Sequence, residues 1–161
     1  MGAAVKAAVI VASTRAAQGL YTDRTGPVIT EWLLGRGFAV DSPIVVPDGE
    51  EVGDALRKAI ADGCGVIFTT GGTGLTPTDV TPQHTAALID YEIPGIAEAI
   101  RRAGIAKVPT AVLSRGLAGV AGRTFIVNLP GSRGGVNDAL SLLDGILEHA
   151  LDQIRGGGHA E

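Results

Sequence analysis

The stretch TTGGTGLTPTDVTPQ, Thr69 to Gln83, places Gly71, Gly72 and Gly74 within four residues and follows them with a single aspartate, Asp79, between Pro77 and Pro82. Glycine adopts backbone angles that other residues avoid and carries no Cβ, so such a loop can bring its N–H groups within hydrogen-bonding distance of a ligand. Donors of that kind suit an anion, and the hydroxyls of Thr69, Thr70 and Thr73 add to them. The loop is not a P-loop, because no glycine-lysine-serine/threonine follows it. Nor is it a dinucleotide fingerprint, because GTGLTP lacks the third glycine. Phosphate is the ligand it fits best.

Further candidates stand at the ends of apolar runs. Asp48 follows IVVP and has capping-box spacing to Glu51, so a helix-capping role competes with a ligand-binding one. Asp79 can likewise cap a local turn, although Thr81 already stands where the next helix needs a cap. Ser13, Thr14, Asp23 and Thr25 lie on the long loop after the first apolar run, where they either bind a polar group or are solvated loop residues. Ser114 and Arg115 end one later run. Pro130, Gly131 and Ser132 end another, directly before a helix whose N-terminal N–H groups suit an anion, with Ser132 also a good cap. His84, His149 and His159 lack ligand spacing and read as surface residues, so no zinc site is expected.

These positions need strands to carry them and helices to space them. VKAAVIVAS (5–13) reads as a buried strand, and GPVITEWLLGRG (26–37), with proline in its first turn and glycine at its end, as a helix. FAVDSPIVVP (38–47) is β-rich, with Pro43 arguing for an edge position or a bend. A helix over 48–63 and the strand GVIFTT (65–70) lead into the glycine loop. After it, helices are predicted over 81–90, with Thr81 as cap and Pro82 in the first turn, and over 93–104. TAVLSRG (110–116) and RTFIVNLPG (123–131) read as strands, and Val136, Leu140, Leu143, Leu147, Leu151 and Ile154 mark one long C-terminal helix. Strands alternating with helices imply a three-layer α/β/α domain with a mostly parallel sheet, whose ligands bind outside the carboxyl ends of the strands. The candidate residues fall at those ends.

Composition narrows the class. A chain of 161 residues suits one domain, expected over 1–155, with the tail GGGHAE (156–161) disordered for want of anything to pack. Thirteen basic against seventeen acidic residues, net −4, offer no basic stripe for nucleic acid, so small-molecule chemistry is favoured. No run approaches the roughly eighteen apolar residues of a membrane span. The one cysteine, Cys64, reads as a small buried hydrophobe in a reducing compartment, with the cytoplasm as the expected location.

TTGGTGLTPTDVTP, VPDGEE, YEIPGIAEAIR, LSRG and NLPGSRGGV, in this order, together with the N-terminal SxxxxxGLYTDRTGP pattern, closely resemble the molybdenum cofactor biosynthesis proteins of the Mog/MoaB type. The resemblance covers nearly the whole chain. It implies the molybdopterin-binding fold, commonly a homotrimer, in which Mg-ATP adenylylates molybdopterin to a pterin adenylate and pyrophosphate, the product going on to a molybdenum-insertion protein. It further implies that Asp48 and Asp79 are the acidic positions of the active site and would organise Mg2+, with Ser13, Asp23, Thr70, Gly71, Gly72, Thr73, Gly74, Ser114, Arg115, Pro130, Gly131 and Ser132 around the substrates. Transfer of an adenylyl group to a phosphate needs charge neutralisation and alignment more than a covalent nucleophile, which suits this set. Some members of the family are mainly pterin-binding, so a non-catalytic carrier is the rival reading. Three departures stand out: Thr78 where many relatives have arginine, Gln83 where glutamate is usual, and SRGG after LPG in place of a proline-and-lysine version. Arg115 or Arg133 would then have to supply the charge missing at Thr78. Trp32 on the first helix and an apolar-rich surface point to self-association.

Overall fold

Two runs become fully buried central strands in the computed structural model, which describes residues 3–157. All five residues of β4 (Val66–Thr70) and all six of β7 (Thr124–Leu129) are buried, as expected of strands covered on both faces. β1 (Lys6–Ala12) pairs in parallel with β4, and β4 in parallel with β7. Beyond β7 the sheet turns antiparallel through β6 (Ala118–Ala121) to β5 (Tyr91–Glu92). On its other side β1 pairs in parallel with β2 (Ala39–Val40) and then with β3 (Ile44–Val46), two halves of one edge strand with Pro43 in the gap. Proline lacks the N–H a continuous ladder needs, so the predicted bend is where the strand breaks.

Side chains alternate across this sheet. Val9, Phe68, Phe125 and Val127 face a core completed by Ile29 and Leu33 of α2 (Gly26–Gly35), Ile96 and Ile100 of α5 (Pro94–Ile105), and the buried stripe of the C-terminal helices. Ile10, Ile67 and Ile126 face the opposite core, where α3 (Glu50–Ala61) lays down Val52, Leu56 and Ala59. Burying a side chain such as Leu56 stabilises the fold by about 2 kcal/mol. Short helices α1 (Thr14–Ala17) and α4 (Thr81–Ala86) follow the ends of β1 and of the glycine loop.

Four predicted elements differ. The C-terminal stripe is carried by two helices, α6 (Arg133–Asp144) and α7 (Leu147–Ile154), because Gly145 ends the first. Its residues still face the core from Val136 to Leu151. TAVLSRG is not a strand: Pro109–Leu113 forms a 3-10 turn, and the strand is the next run, β6. The helix predicted over 81–90 stops at Ala86, and Asp90 turns to accept a hydrogen bond from the Gly122 N–H. Thr81 is not a cap, since it is the first residue of α4 after Val80 and makes no capping bond. Of the tail expected to be disordered, Gly156 and Gly157 donate backbone hydrogen bonds to the last turn of α7, and 158–161 lie outside the described residues.

Candidate active site

From β1 the chain moves to one side to build β2 and β3, then crosses to the other side to build β4, so the carboxyl ends of β1 and β4 flank the point where the winding reverses. Ligands of doubly wound sheets bind at such a point. The glycine loop lies there. A side chain on Gly71 would strike the Ala12 carbonyl, and one on Gly131 would press on Gly71 Cα at 3.4 Å. Gly71 and Gly72 both have positive φ, +86° and +68°, a pair of left-handed residues that only glycine supplies cheaply.

The loop is held by its carbonyls. Gly72 O accepts from the Thr81 N–H (3.2 Å), Thr73 O from the Arg115 N–H (2.9 Å) and Gly74 O from Arg115 Nε (3.0 Å). In a trans peptide the N–H points opposite to the C=O, so the N–H groups of Thr73, Gly74 and Leu75 each point away from the group that holds the carbonyl of the same peptide. Glycine-loop N–H groups of this kind are the donors from which anion-binding concavities are built.

Asp48 and Asp79 lie against alternate residues of this loop. Asp48 Oδ2 accepts from the N–H (3.2 Å) and hydroxyl (3.0 Å) of Thr14, and its own N–H donates back to Thr14 Oγ1 (3.1 Å). The capping-box reading of Asp48 therefore fails: α3 is preceded by Gly49 at φ +120°, and the carboxylate is turned across the strand ends to α1. Its Oδ1 lies 3.2 Å from where a Gly72 side chain would begin. Asp79 Oδ2 closes a turn by accepting from the Thr76 N–H (3.2 Å) and stands 2.8 Å from the corresponding point on Gly74. The turn role and a place beside the loop coexist in this residue. Arg115 reaches across to the same segment through all three guanidinium nitrogens, with Nη2 donating to Asp79 O (2.6 Å) and Nη1 to Gln83 Oε1 (3.2 Å).

The remaining predicted residues divide between two cavities that share Gly131. A cavity of about 540 Å3 is lined by Thr73, Ser114, Pro130, Gly131 and Ser132, with Lys107 on its wall. A second, of about 120 Å3, is lined by Ser13, Asp23, Thr70 and Gly71. Thr70 also braces the site, its hydroxyl donating to Pro130 O at 2.6 Å. Ser13 Oγ accepts from the Ala16 N–H and Ser132 Oγ from the Gly135 N–H, so both serve as helix caps. Asp23 Oδ1 accepts from the N–H groups of Thr25 and Gly26 and thereby secures the start of α2.

Cys64 is buried at the far end of β4, and burial pushes its thiol up from its ordinary value. His84 is half-buried against Gly53 of α3, contrary to the surface reading, because α4 packs on α3; His149 is exposed, and His159 lies outside the described residues. Among the described residues no three His, Cys, Asp or Glu side chains group as metal ligands. Three polar residues of the site region were not singled out for these parts: Thr14 as the partner of Asp48, Thr81 with its buried hydroxyl, and Asn128. The Asn128 amide bonds Thr69, Thr85 and the Leu117 N–H and pins the segment after Arg115 to β7. Only Asn128 left a signal, a polar residue inside the apolar run TFIVNL.

The fold is that of an α/β protein with a mostly parallel sheet, its glycine loop at the carboxyl ends of β1, β4 and β7. Residues 8–149 match the family described as "Probable molybdopterin binding domain", and the chain belongs to that family. It is 37% identical over 156 residues to a "Molybdenum cofactor biosynthesis bifunctional protein" of Chlorobaculum tepidum, covering 96% of this chain and 50% of that one. It is 36% identical over 145 residues to a "Molybdopterin adenylyltransferase" of Haemophilus influenzae, covering 87% of this chain and 73% of that one. The molybdopterin biosynthesis Mog protein from Mycobacterium ulcerans superposes with a TM-score of 0.90 at 58% identity, covering 94% and 99% of the two chains. The chain thus spans about half the length of the bifunctional relatives it matches. Among the described residues no helix is long and apolar enough to cross a membrane.

Proposed function

We propose that the protein is a molybdopterin adenylyltransferase. An ionised phosphate oxygen of molybdopterin attacks the α-phosphorus of ATP, the bond from that phosphorus to the oxygen bridging to the β-phosphate breaks, and pyrophosphate leaves. The names of relatives matched over most of the chain support this reading. The observation that carries it is the loop itself: the carbonyls of Gly72, Thr73 and Gly74 are all engaged by the protein, so the N–H of each of those peptides points away from its carbonyl's partner, and two carboxylates stand beside the loop. Because the attacking phosphate is already ionised at neutral pH, the site needs no general base. It needs fixed donors where charge gathers.

Magnesium bound with ATP would neutralise phosphate charge and align the leaving group. Asp48 and Asp79 are the residues that would hold it, and two carboxylates completed by phosphate oxygens and water suit this ion. The larger cavity has the size of a small-molecule pocket and would take the pterin or the adenosine, with the α6 N-terminus and the Ser132 cap beside it. A homotrimer, a cytoplasmic location and a downstream molybdenum-insertion partner belong to the same reading.

Incubation with molybdopterin, ATP and magnesium should yield adenylylated pterin and pyrophosphate. Asp48→Asn and Asp79→Asn remove charge while keeping hydrogen-bonding capacity, so each should lower turnover by roughly a hundredfold at nearly unchanged stability. Full turnover by the double variant would overturn the mechanism, and pterin binding without turnover by the wild-type chain would replace it with the carrier reading.

A further inference from the structure

The sequence pattern made Arg115 a substrate-binding candidate, able to supply the charge absent at Thr78. Its contacts are of another kind. Nε donates to Gly74 O, where the exposed segment Leu75–Thr78 begins, Nη2 donates to Asp79 O, where it ends, and Nη1 reaches Gln83 on α4. Its own N–H holds Thr73 O. We propose that Arg115 is a positioning residue: a planar fork that fixes both ends of the 74–79 loop, and through them the loop N–H donors and the Asp79 carboxylate.

The loop has little else to hold it. Within it, Thr76 and Asp79 bond each other through the Asp79 N–H and carboxylate, a turn that sets the loop's own shape but does not attach it to the domain. Attachment comes from Arg115, which lies in the segment between the 3-10 turn and β6. That segment is in turn secured by Arg101, whose Nη1 donates to Ser114 O and Gly116 O, and by the Asn128 side chain at Leu117. The Gly74 carbonyl is one of the three whose engagement fixes the orientation of the N–H donor in the same peptide. Losing Nε frees the Gly74–Leu75 peptide to rotate and carry the Leu75 donor away. Lysine cannot substitute, because one ammonium on a flexible stem cannot span three divergent acceptors. Among the described residues no carboxylate lies within ion-pair distance of Arg115, so the fork brings an uncompensated positive charge to the loop.

The catalytic part of this inference rests on the adenylyltransferase reading; the loop-anchoring part does not. Arg115→Lys and Arg115→Ala should be compared with the wild-type chain by amide hydrogen exchange and by steady-state kinetics with molybdopterin and Mg-ATP. Exchange should rise at Thr76 and Asp79 and stay unchanged in β1, β4 and β7. In both variants kcat should fall about a hundredfold, the effect of misplacing a catalytic group by about 1 Å, while KM changes by less than about threefold. A rise in KM with kcat retained would overturn the proposal in favour of direct substrate contact, and unchanged exchange at Thr76 and Asp79 would overturn it outright. Should the wild-type chain prove inactive, the exchange result still decides whether Arg115 anchors the loop.

Discussion

Gly72 and Thr81 are packed so closely that each limits what the other can be. Thr81 is fully buried and its hydroxyl has no hydrogen-bond partner within the described residues, while the point at which a Gly72 side chain would begin lies on top of that oxygen. A buried hydroxyl left unpaired costs about 1–3 kcal/mol. Replacing it by a methyl of the same shape should therefore not harm the fold: Thr81→Val is expected to match or exceed the wild-type stability in urea denaturation. Gly72→Ala should do the opposite, losing at least about 1 kcal/mol from its positive φ alone, with the collision in addition. A stable Gly72→Ala variant would mean that the loop does not hold the conformation described.

At the scale of elements, the start of α6 sets a helix cap on the wall of a cavity. Ser132 caps a twelve-residue helix through the Gly135 N–H and also lines the larger cavity. Ser132→Ala should cost about 1 kcal/mol of stability, read from a denaturant midpoint at unchanged slope. Elements of this kind, signalled by short-range chemistry, were legible in the sequence: the proline-started helices, the break at Pro43 and the glycine loop between a buried strand and a helix. The elements misread depend on what lies far away. β6, with the small residues Ala118-Gly119-Val120-Ala121, has little strand propensity of its own and forms because it returns on β7 through a two-residue turn with Gly122 at φ +60°. The Gly-Arg pair between two apolar runs was the signal for that hairpin. TAVLSRG carries the richer β composition yet stays outside the sheet, its backbone committed to Arg101 and to the glycine loop. For the site, the strand ends and both aspartates could be foreseen from the topology. The Thr14–Asp48 pair and the Arg115 fork could not, because each joins residues more than thirty positions apart through geometry that no local spacing encodes.

For the whole molecule, the outstanding question is assembly. Trp32, expected to be a sticky exposed ring, is half-buried, tilts against Phe68 at 6.2 Å and is covered by the Arg36 guanidinium at 3.7 Å. The self-association argument passes instead to apolar side chains that remain uncovered, among them Leu20, Leu34, Leu75, Tyr91 and Val112. We expect sedimentation at micromolar concentration to show a species about three times the 16.3 kDa chain mass. A single species at the chain mass would remove the trimer from the proposed function.

The broken edge of the sheet has a bearing on how this apolar chain avoids aggregation. A long flat edge strand offers a row of unpaired N–H and C=O groups on which a foreign strand can template itself. Here the β2–β3 edge is interrupted by Asp41-Ser42-Pro43, and the opposite edge, β5, is only two residues long. Neither edge presents an uninterrupted ladder of more than three residues. The strands that would template fibres most readily, the fully buried β4 and β7, are enclosed between β1 and β6 and become available to other chains only when the sheet itself comes apart.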